Sequence, residues 1–113
     1  MLNQIPGESE FILPILSRFK KKATDMYGHR LKKVILYGSW ARGRATHNSD
    51  IDLMIVLSDM ESAFTEIDRL NDIKFNIGLE YEVYISTNPV TEDSFSTSDL
   101  PIFKNVIREG IEI

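Results

Sequence analysis

The sequence contains no cysteine among its 113 residues. This absence excludes disulfide bonds, thiolate zinc sites and cysteine nucleophiles. No apolar run approaches the roughly 18 residues that a membrane-spanning helix needs, and residues 1–6 lack the basic and apolar regions of a secretory signal. We therefore expect a cytoplasmic protein that does not associate with a membrane.

The sequence also lacks an excess of basic residues. Lys and Arg number 13 against 17 Asp and Glu, which gives a net charge of −4. A protein that grips a long nucleic acid needs a basic face to neutralise phosphates, so this class of protein is disfavoured. A single nucleotide stays possible, because a metal ion can supply positive charge locally.

Two common catalytic patterns are missing. The sequence has no Gly-x4-Gly-Lys-Ser/Thr motif, which disfavours a P-loop kinase. It also offers no combination of Ser, His and Asp that suggests a hydrolytic triad. The chemistry must therefore come from a different arrangement of residues.

The periodicity predicts a single domain over residues 1–113, with 1–8 as a loose lead-in. Helical spacing of apolar residues predicts helices from residue 9 or 10 to Gly28, from 63 to about 78 and from 101 to 109. Runs rich in β-forming residues predict strands at 31–37, 50–57 and 80–86, the last of them ended by Asn88 and Pro89. This order of elements predicts a small α/β sheet with helices packed on it.

Two aspartates stand at the start of the most apolar predicted strand. Asp50 and Asp52 are two residues apart, so in a strand both side chains project from the same face. Asp is depleted in strands, and a pair at this position calls for a chemical reason. Paired carboxylates bind hard divalent cations, and two such cations can stabilise the attacking and leaving oxygens of a phosphoryl or nucleotidyl transfer.

A Gly-Ser turn follows the preceding strand, ten residues before the acid pair. Gly38 permits a positive φ and lets the backbone approach a phosphate closely, and Ser39 adds a hydroxyl. A short helix starting here would add an anion site at its N-terminus. Arg42 can donate two hydrogen bonds to a phosphate, and Arg44 is a second candidate.

Two aromatic residues near these motifs have both structural and functional interpretations. Trp40 is either a packing residue or a platform for stacking a base, and we favour packing. His47, in the polar loop before the acid pair, is either a solvated loop residue or a phosphate contact, and we favour the former. Neither residue is needed for the chemistry that the motifs predict.

Residues 36–43 (LYGSWARG) followed by 49–53 (SDIDL) resemble the minimal nucleotidyltransferase family of the DNA polymerase β-like superfamily. The close match covers residues 31–57, and residues 106–111 (VIREGI) are similar to the closing helix of that family. The resemblance implies an α/β (α+β) core with a small mixed sheet and helices mainly on one face. It further implies that Gly38 and Ser39 hold a nucleoside triphosphate, and that Asp50 and Asp52 bind Mg²⁺, with two ions expected.

The resemblance also implies a third carboxylate on a neighbouring strand, where the family usually has Asp. In this sequence the predicted strand 80–86 offers Glu80 and Glu82 instead. We select Glu82, as a metal ligand or as the base for an acceptor hydroxyl, because Tyr81 and Val83 flank it as the family pattern requires. Glu80 stands nearer the start of the strand and is the alternative.

By resemblance, the expected function is transfer of AMP from ATP to a hydroxyl group with release of pyrophosphate. Stand-alone chains of this family act as antitoxins that adenylylate a tyrosine of a HEPN-domain ribonuclease toxin. We therefore expect a HEPN toxin as partner, and an oligomer of this chain with itself or with that partner. Two alternatives stay open, namely a binding module that neutralises its partner without catalysis and a transferase that modifies a small molecule.

Overall fold

The computed structural model describes residues 7–113. Its α-helices are α1 (Leu13–Tyr27), α2 (Ala63–Tyr81), α3 (Glu92–Thr97) and α4 (Pro101–Glu109). Its strands are β1 (Leu31–Tyr37), β2 (Ile51–Leu57), β3 (Ile85–Thr91) and β4 (Ile111–Glu112). Short 3-10 helices occupy Gly7–Ile12 and Gly28–Arg30. The predicted mixture of helices and strands is confirmed.

The four strands form one mixed sheet in the order β3-β2-β1-β4. β1 runs antiparallel to both β2 and β4, whereas β2 and β3 are parallel. Parallel neighbours need a crossover connection, and α2 provides it between β2 and β3. β3 and β4 are therefore the edge strands of this sheet.

The sheet carries helices on both faces, with the longer helices on one of them. Leu53 and Ile55 point into a core formed with α1 and α2, while the alternate residues Met54 and Val56 pack with Phe103 of α4. β2 is thus covered on both sides, as its continuous apolar run predicts. The expectation of helices mainly on one face is confirmed, with the short α3 and α4 on the second face.

The N-terminal helix departs from its predicted bounds. Residues 1–6 of the predicted lead-in lie outside the described residues, and the chain from Gly7 to Ile12 forms a 3-10 helix before α1 begins at Leu13. Pro14 lies in the first turn of α1, as predicted, because its missing N–H costs no hydrogen bond there. Gly28 follows the helix with a φ of +57°.

The predicted strand 80–86 is wrong. α2 continues past Gly78 to Tyr81, and β3 begins only at Ile85 and runs through Asn88 and Pro89 to Thr91. Pro89 is tolerated because β3 is an edge strand, where one side of the backbone needs no partner. No helix within residues 7–113 is long and apolar enough to cross a membrane.

Candidate active site

The backbone reverses sharply at the end of β1. Gly38 has a φ of +75°, and its carbonyl accepts hydrogen bonds from the amides of Ala41 at 3.1 Å and Arg42 at 3.2 Å. The carbonyl of Ser39 accepts one from the amide of Arg44 at 2.9 Å. Residues 38–43 form a bend followed by successive turns, so no short helix forms directly after Gly38. The segment 38–44 is called the Gly-Ser turn below.

The acid pair lies at the start of β2, on the face of the sheet that α4 partly covers. Asp50 is exposed, and Asp52 is half-buried and pairs with Tyr37 across the antiparallel ladder. Burial, and then the charge of Asp50, raise the pKa of Asp52 above its ordinary value, and the nearby Arg42 opposes them. Burial thus contributes most to the raised pKa of Asp52, and the neighbouring carboxylate of Asp50 adds to it.

The Gly-Ser turn and the acid pair are in direct contact. A β-carbon built on Gly38 would overlap Oδ2 of Asp52 and would lie 3.2 Å from its Cγ. Only glycine therefore allows the backbone of the turn to come this close to the carboxylate. The structure brings together the phosphate and cation motifs predicted from the sequence.

The donor set of this site fits a hard divalent cation. Asp50 directly precedes β2 and Asp52 lies within it, and their carboxylates are the kind of oxygen ligand that Mg²⁺ prefers. Burial and then the charge of Asp50 raise the pKa of Asp52, and a bound cation would offset the repulsion between the two carboxylates. Asp50 and Asp52 are the residues that would hold the ion.

A groove of about 590 Å³ opens beside the Gly-Ser turn, between the turn and α4. Arg42 and Arg44 line it from the turn, and Asn105, Arg108 and Glu109 line it from α4. Nη1 of Arg42 lies 3.4 Å from Oε2 of Glu109. Nη2 of Arg108 lies 3.5 Å from Oε1 of the same Glu109. Three arginines thus line one groove of an acidic chain, and arginine side chains suit a polyanionic ligand. The sequence pattern did not single out Arg108, because only the packing of α4 brings it to this groove.

Trp40 connects the Gly-Ser turn to the loop before the acid pair. Its side chain is 3% exposed, and its indole N–H donates to the carbonyl of Ser49 at 3.1 Å. The ring of Phe11 lies between the rings of Trp40 and His47, at centroid distances of 5.1 and 4.9 Å. The packing interpretation of Trp40 is confirmed, and His47 has a ring contact instead of being merely solvated.

Glu82 is not where the sequence predicted it. It follows the last residue of α2 in a left-handed conformation, with φ of 57° and ψ of 46°, so it is not on a strand face. Glu80 lies within α2 and forms an ion pair with Arg18 at 3.1 Å. Within residues 7–113 no group of three His, Cys, Asp or Glu side chains is arranged to hold a metal ion. The premise for choosing Glu82 is therefore wrong.

The sequence profile of the "Nucleotidyltransferase domain" family matches residues 16–107. The chain belongs to this nucleotidyltransferase family. The matched range includes the Gly-Ser turn, Asp50, Asp52 and the groove residues Arg42, Arg44 and Asn105, whereas the groove residues Arg108 and Glu109 lie just beyond it. A protein of Methanocaldococcus jannaschii with the name "Putative protein adenylyltransferase" is 32% identical over 96 residues, which cover 84% of this chain and 90% of that protein.

Solved structures confirm the fold of this nucleotidyltransferase. A "putative minimal nucleotidyltransferase" superposes with a TM-score of 0.56 at 23% identity, covering 88% of this chain and 93% of the other. A toxin-antitoxin structure determined with AMP-PNP superposes with a TM-score of 0.59 at 15% identity, covering 83% and 68% of the two chains. The profile match confirms the predicted nucleotidyltransferase family, and these structures confirm the predicted fold.

Proposed function

We propose that this nucleotidyltransferase transfers AMP from ATP to a hydroxyl group of a partner protein, and that it acts as the antitoxin of a HEPN-domain toxin. The observation that carries the proposal is the contact between the backbone of Gly38 and the carboxylate of Asp52. This contact places a turn that can bind phosphates next to a carboxylate that can bind a cation. Nucleotidyl transfer needs a phosphate site and a cation site side by side.

The residues of the site have separate roles in this reaction. Gly38 and Ser39 bind the triphosphate through the turn, and Arg42 adds a guanidinium from the wall of the groove. Asp50 and Asp52 hold Mg²⁺, which when bound neutralises phosphate charge. The acceptor oxygen forms a bond to the α-phosphorus, the bond from that phosphorus to the α,β-bridging oxygen breaks, and pyrophosphate leaves. The proton of the acceptor hydroxyl passes to water.

An exposed apolar groove on the surface favours a protein as the acceptor. A second groove, between α2 and residues 83–85, has the exposed apolar side chains of Phe75, Leu79 and Tyr84 on its walls. The carbonyl of Tyr84 accepts a hydrogen bond from the amide of Ile51 at 2.9 Å, so the chain segment that lines this groove is bonded to the residue between the two acids. We propose that a partner protein docks along this groove and extends from it to the acid pair.

The comparisons support the same acceptor class. The Methanocaldococcus jannaschii relative carries the name of a protein adenylyltransferase, and a structural neighbour belongs to a toxin-antitoxin pair that was crystallised with AMP-PNP. The choice of a HEPN-domain toxin rests on the resemblance of residues 36–53 to the minimal nucleotidyltransferases. A net charge of −4 further favours a nucleotide over a nucleic acid as the bound substrate.

The test is intact-mass analysis of a HEPN-domain protein encoded beside this chain, after incubation with the chain, ATP and Mg²⁺. We expect the partner to gain the mass of one or more AMP units. Asp52→Asn should abolish the gain, whereas Asp68→Asn, which changes an exposed acid of α2, should leave it intact. Label appearing on a small molecule without the partner would contradict a protein acceptor.

A binding module without catalysis is the second candidate function. The observation that favours it is the position of Glu82, which leaves the site without the expected third acid on β3. If this candidate is correct, the partner gains no mass and Asp52→Asn still neutralises it. The same experiment therefore separates the two functions.

A further inference from the structure

The residues of β3 that flank the acid pair are fixed by the parallel ladder. Asp52 pairs with Ser86, and Ile51 pairs with Ile85. Continuing this register by one residue sets Tyr84 level with Asp50. Paired residues of neighbouring strands project from the same face of a sheet. Tyr84 and Ser86 therefore occupy the positions from which β3 could add a ligand, and neither is a carboxylate.

Neither nearby glutamate can take that place through the strand. Glu82 caps α2 in the left-handed region, where the alternation of a strand does not apply. Glu80 lies two residues earlier, within α2, and its carboxylate is 3.1 Å from the guanidinium of Arg18. The remaining strand that pairs with β2 contributes Tyr37 opposite Asp52. The residues that pair with the acids from the neighbouring strands thus carry neutral hydroxyl groups and no carboxylate.

We infer that Asp50 and Asp52 are the complete carboxylate set of the cation site, so that this chain holds one divalent cation with its nucleotide and not two. The inference rests on the proposed function for the presence of a nucleotide, and it differs from the two ions that the family resemblance implies. The affinity of oxygen ligands for divalent cations rises with the number of charged ligands. A carboxylate introduced on β3 should therefore create the missing ligand.

The experiment is titration of the chain with Mn²⁺ in the presence of a non-hydrolysable ATP analogue, followed by electron paramagnetic resonance. We expect one tightly bound Mn²⁺ per wild-type chain. Tyr84→Asp or Ser86→Asp should tighten binding at least ten-fold or add a second tight ion. Tyr84 is 67% exposed, so its replacement should leave the fold intact, and circular dichroism verifies this for both variants.

Two control variants test whether the effect is specific to β3. Glu82→Gln should bind Mn²⁺ as the wild type does, because Glu82 is not a ligand. Asn76→Asp adds the same charge on an exposed position of α2, which packs against the opposite face of the sheet, and should change little. If Asn76→Asp raises the Mn²⁺ affinity as much as Tyr84→Asp does, the gain comes from the added negative charge alone, and the inference is overturned.

Other outcomes contradict the inference directly. Two tight ions in the wild type, a ten-fold loss in Glu82→Gln, or no gain in either β3 variant would each overturn it. If the Mn²⁺ titrations give the expected results but no AMP is transferred, only the proposed enzymatic function is contradicted. Wild-type Mn²⁺ binding that survives Asp52→Asn unchanged would overturn both.

Discussion

The backbone of Gly38 rests against the carboxylate of Asp52, so that a β-carbon at position 38 would overlap Oδ2 and approach Cβ of Asp52 to 3.4 Å. Gly38 directly follows β1 and Asp52 lies in β2, and the two meet because Tyr37 pairs with Asp52 across the antiparallel ladder. The turn and the carboxylate therefore form one unit. Displacement of either one displaces the other.

Gly38→Ala should inactivate the site. The new methyl group pushes the Asp52 carboxylate aside, and a φ of +75° strains any L-residue by about 1–2 kcal/mol. We expect lower stability in urea unfolding and at least a ten-fold weaker affinity for a Mn²⁺-nucleotide complex. The matched control is Gly28→Ala, at a φ of +57° with nothing within 4 Å of the new β-carbon. That variant should show similar strain but normal nucleotide affinity.

Glu82→Gly should stabilise the protein. Glu82 is the only non-glycine residue of positive φ within residues 7–113, and glycine removes a strain of about 1 kcal/mol there. A higher melting temperature with unchanged cation affinity is the expected result, measured by thermal unfolding and Mn²⁺ titration. A loss of AMP transfer in this variant at normal stability would instead show that the Glu82 carboxylate acts in the reaction.

The sequence allowed the centre of the sheet and its acid pair to be predicted well. β1 and β2 are continuous apolar runs whose burial follows from their composition, and the motif around Gly38 and Asp52 specifies a close approach of two strands. The short helix that was possible after Gly38 does not form, because the chain there makes successive turns. Local propensity did not distinguish these two conformations.

β3 was predicted wrongly because Gly78 was interpreted as the end of a helix. The absence of a side chain at Gly78 instead makes room for the chain that returns after α2, since a β-carbon there would lie 2.9 Å from the carbonyl oxygen of Val83. The same residue type serves a helix end or a close backbone approach, and only tertiary structure decides between them. Likewise, the position of Arg108 depends on how α4 packs over the sheet, which no local pattern specifies.

The far end of the sheet carries a buried ionic network around Glu66. Its side chain is 3% exposed, accepts from the hydroxyl of Tyr27 at 3.0 Å and pairs with Arg30 at 2.9 Å. Burial acts to raise the pKa of Glu66, but the hydrogen bonds from Arg30 and Tyr27 and the charges of Arg30 and Arg69 outweigh it. The pKa of Glu66 therefore lies below its ordinary value of 4.5.

This network predicts a loss of stability in acid. Because the folded-state pKa of Glu66 is lowered, its contribution is fully present above pH 4.5 and is lost as the pH falls through the folded-state value. Glu66→Gln should lower the free energy of unfolding at pH 7 by about 1–3 kcal/mol, and the difference from wild type should shrink at pH 3. Urea unfolding at both pH values measures this.

An exposed ion pair provides the control for the acid prediction. Glu112 lies 3.8 Å from Lys33, and both side chains are more than 40% exposed. Glu112→Gln should change the free energy of unfolding by no more than about 0.5 kcal/mol at either pH. A Glu66→Gln variant that behaves like Glu112→Gln would contradict the role assigned to the buried network.

Trp40→Phe should loosen the loop before the acid pair. The substitution keeps an aromatic ring in the core but removes the hydrogen bond to the carbonyl of Ser49, which contributes about 1 kcal/mol. We expect faster amide hydrogen exchange over residues 46–50 and a lower kcat for AMP transfer. His47→Ala removes only the ring contact with Phe11 and should have a smaller effect. Unchanged exchange in Trp40→Phe would contradict a positioning role for the indole.

Polar substitutions in the apolar groove should weaken partner binding without unfolding the chain. Phe75 and Leu79 are each 66% exposed, so Phe75→Ser and Leu79→Ser remove little buried area on folding. If the partner covers this groove, each change should raise the dissociation constant of the complex about ten-fold or more, since interface anchors are worth 1 kcal/mol or more.

The control for the groove lies on the same helix. Phe64 is 81% exposed at the N-terminal end of α2 and does not line the groove, so Phe64→Ser changes surface hydrophobicity to a similar extent elsewhere. Calorimetric titration of the HEPN-domain partner with the three variants measures the effect. Equal losses in all three would point to general hydrophobicity, and full affinity in Phe75→Ser and Leu79→Ser would exclude this groove as the docking surface. Selective loss in those two would place the partner on the groove that Tyr84 lines, next to the segment that is hydrogen-bonded to Ile51 between the two acids.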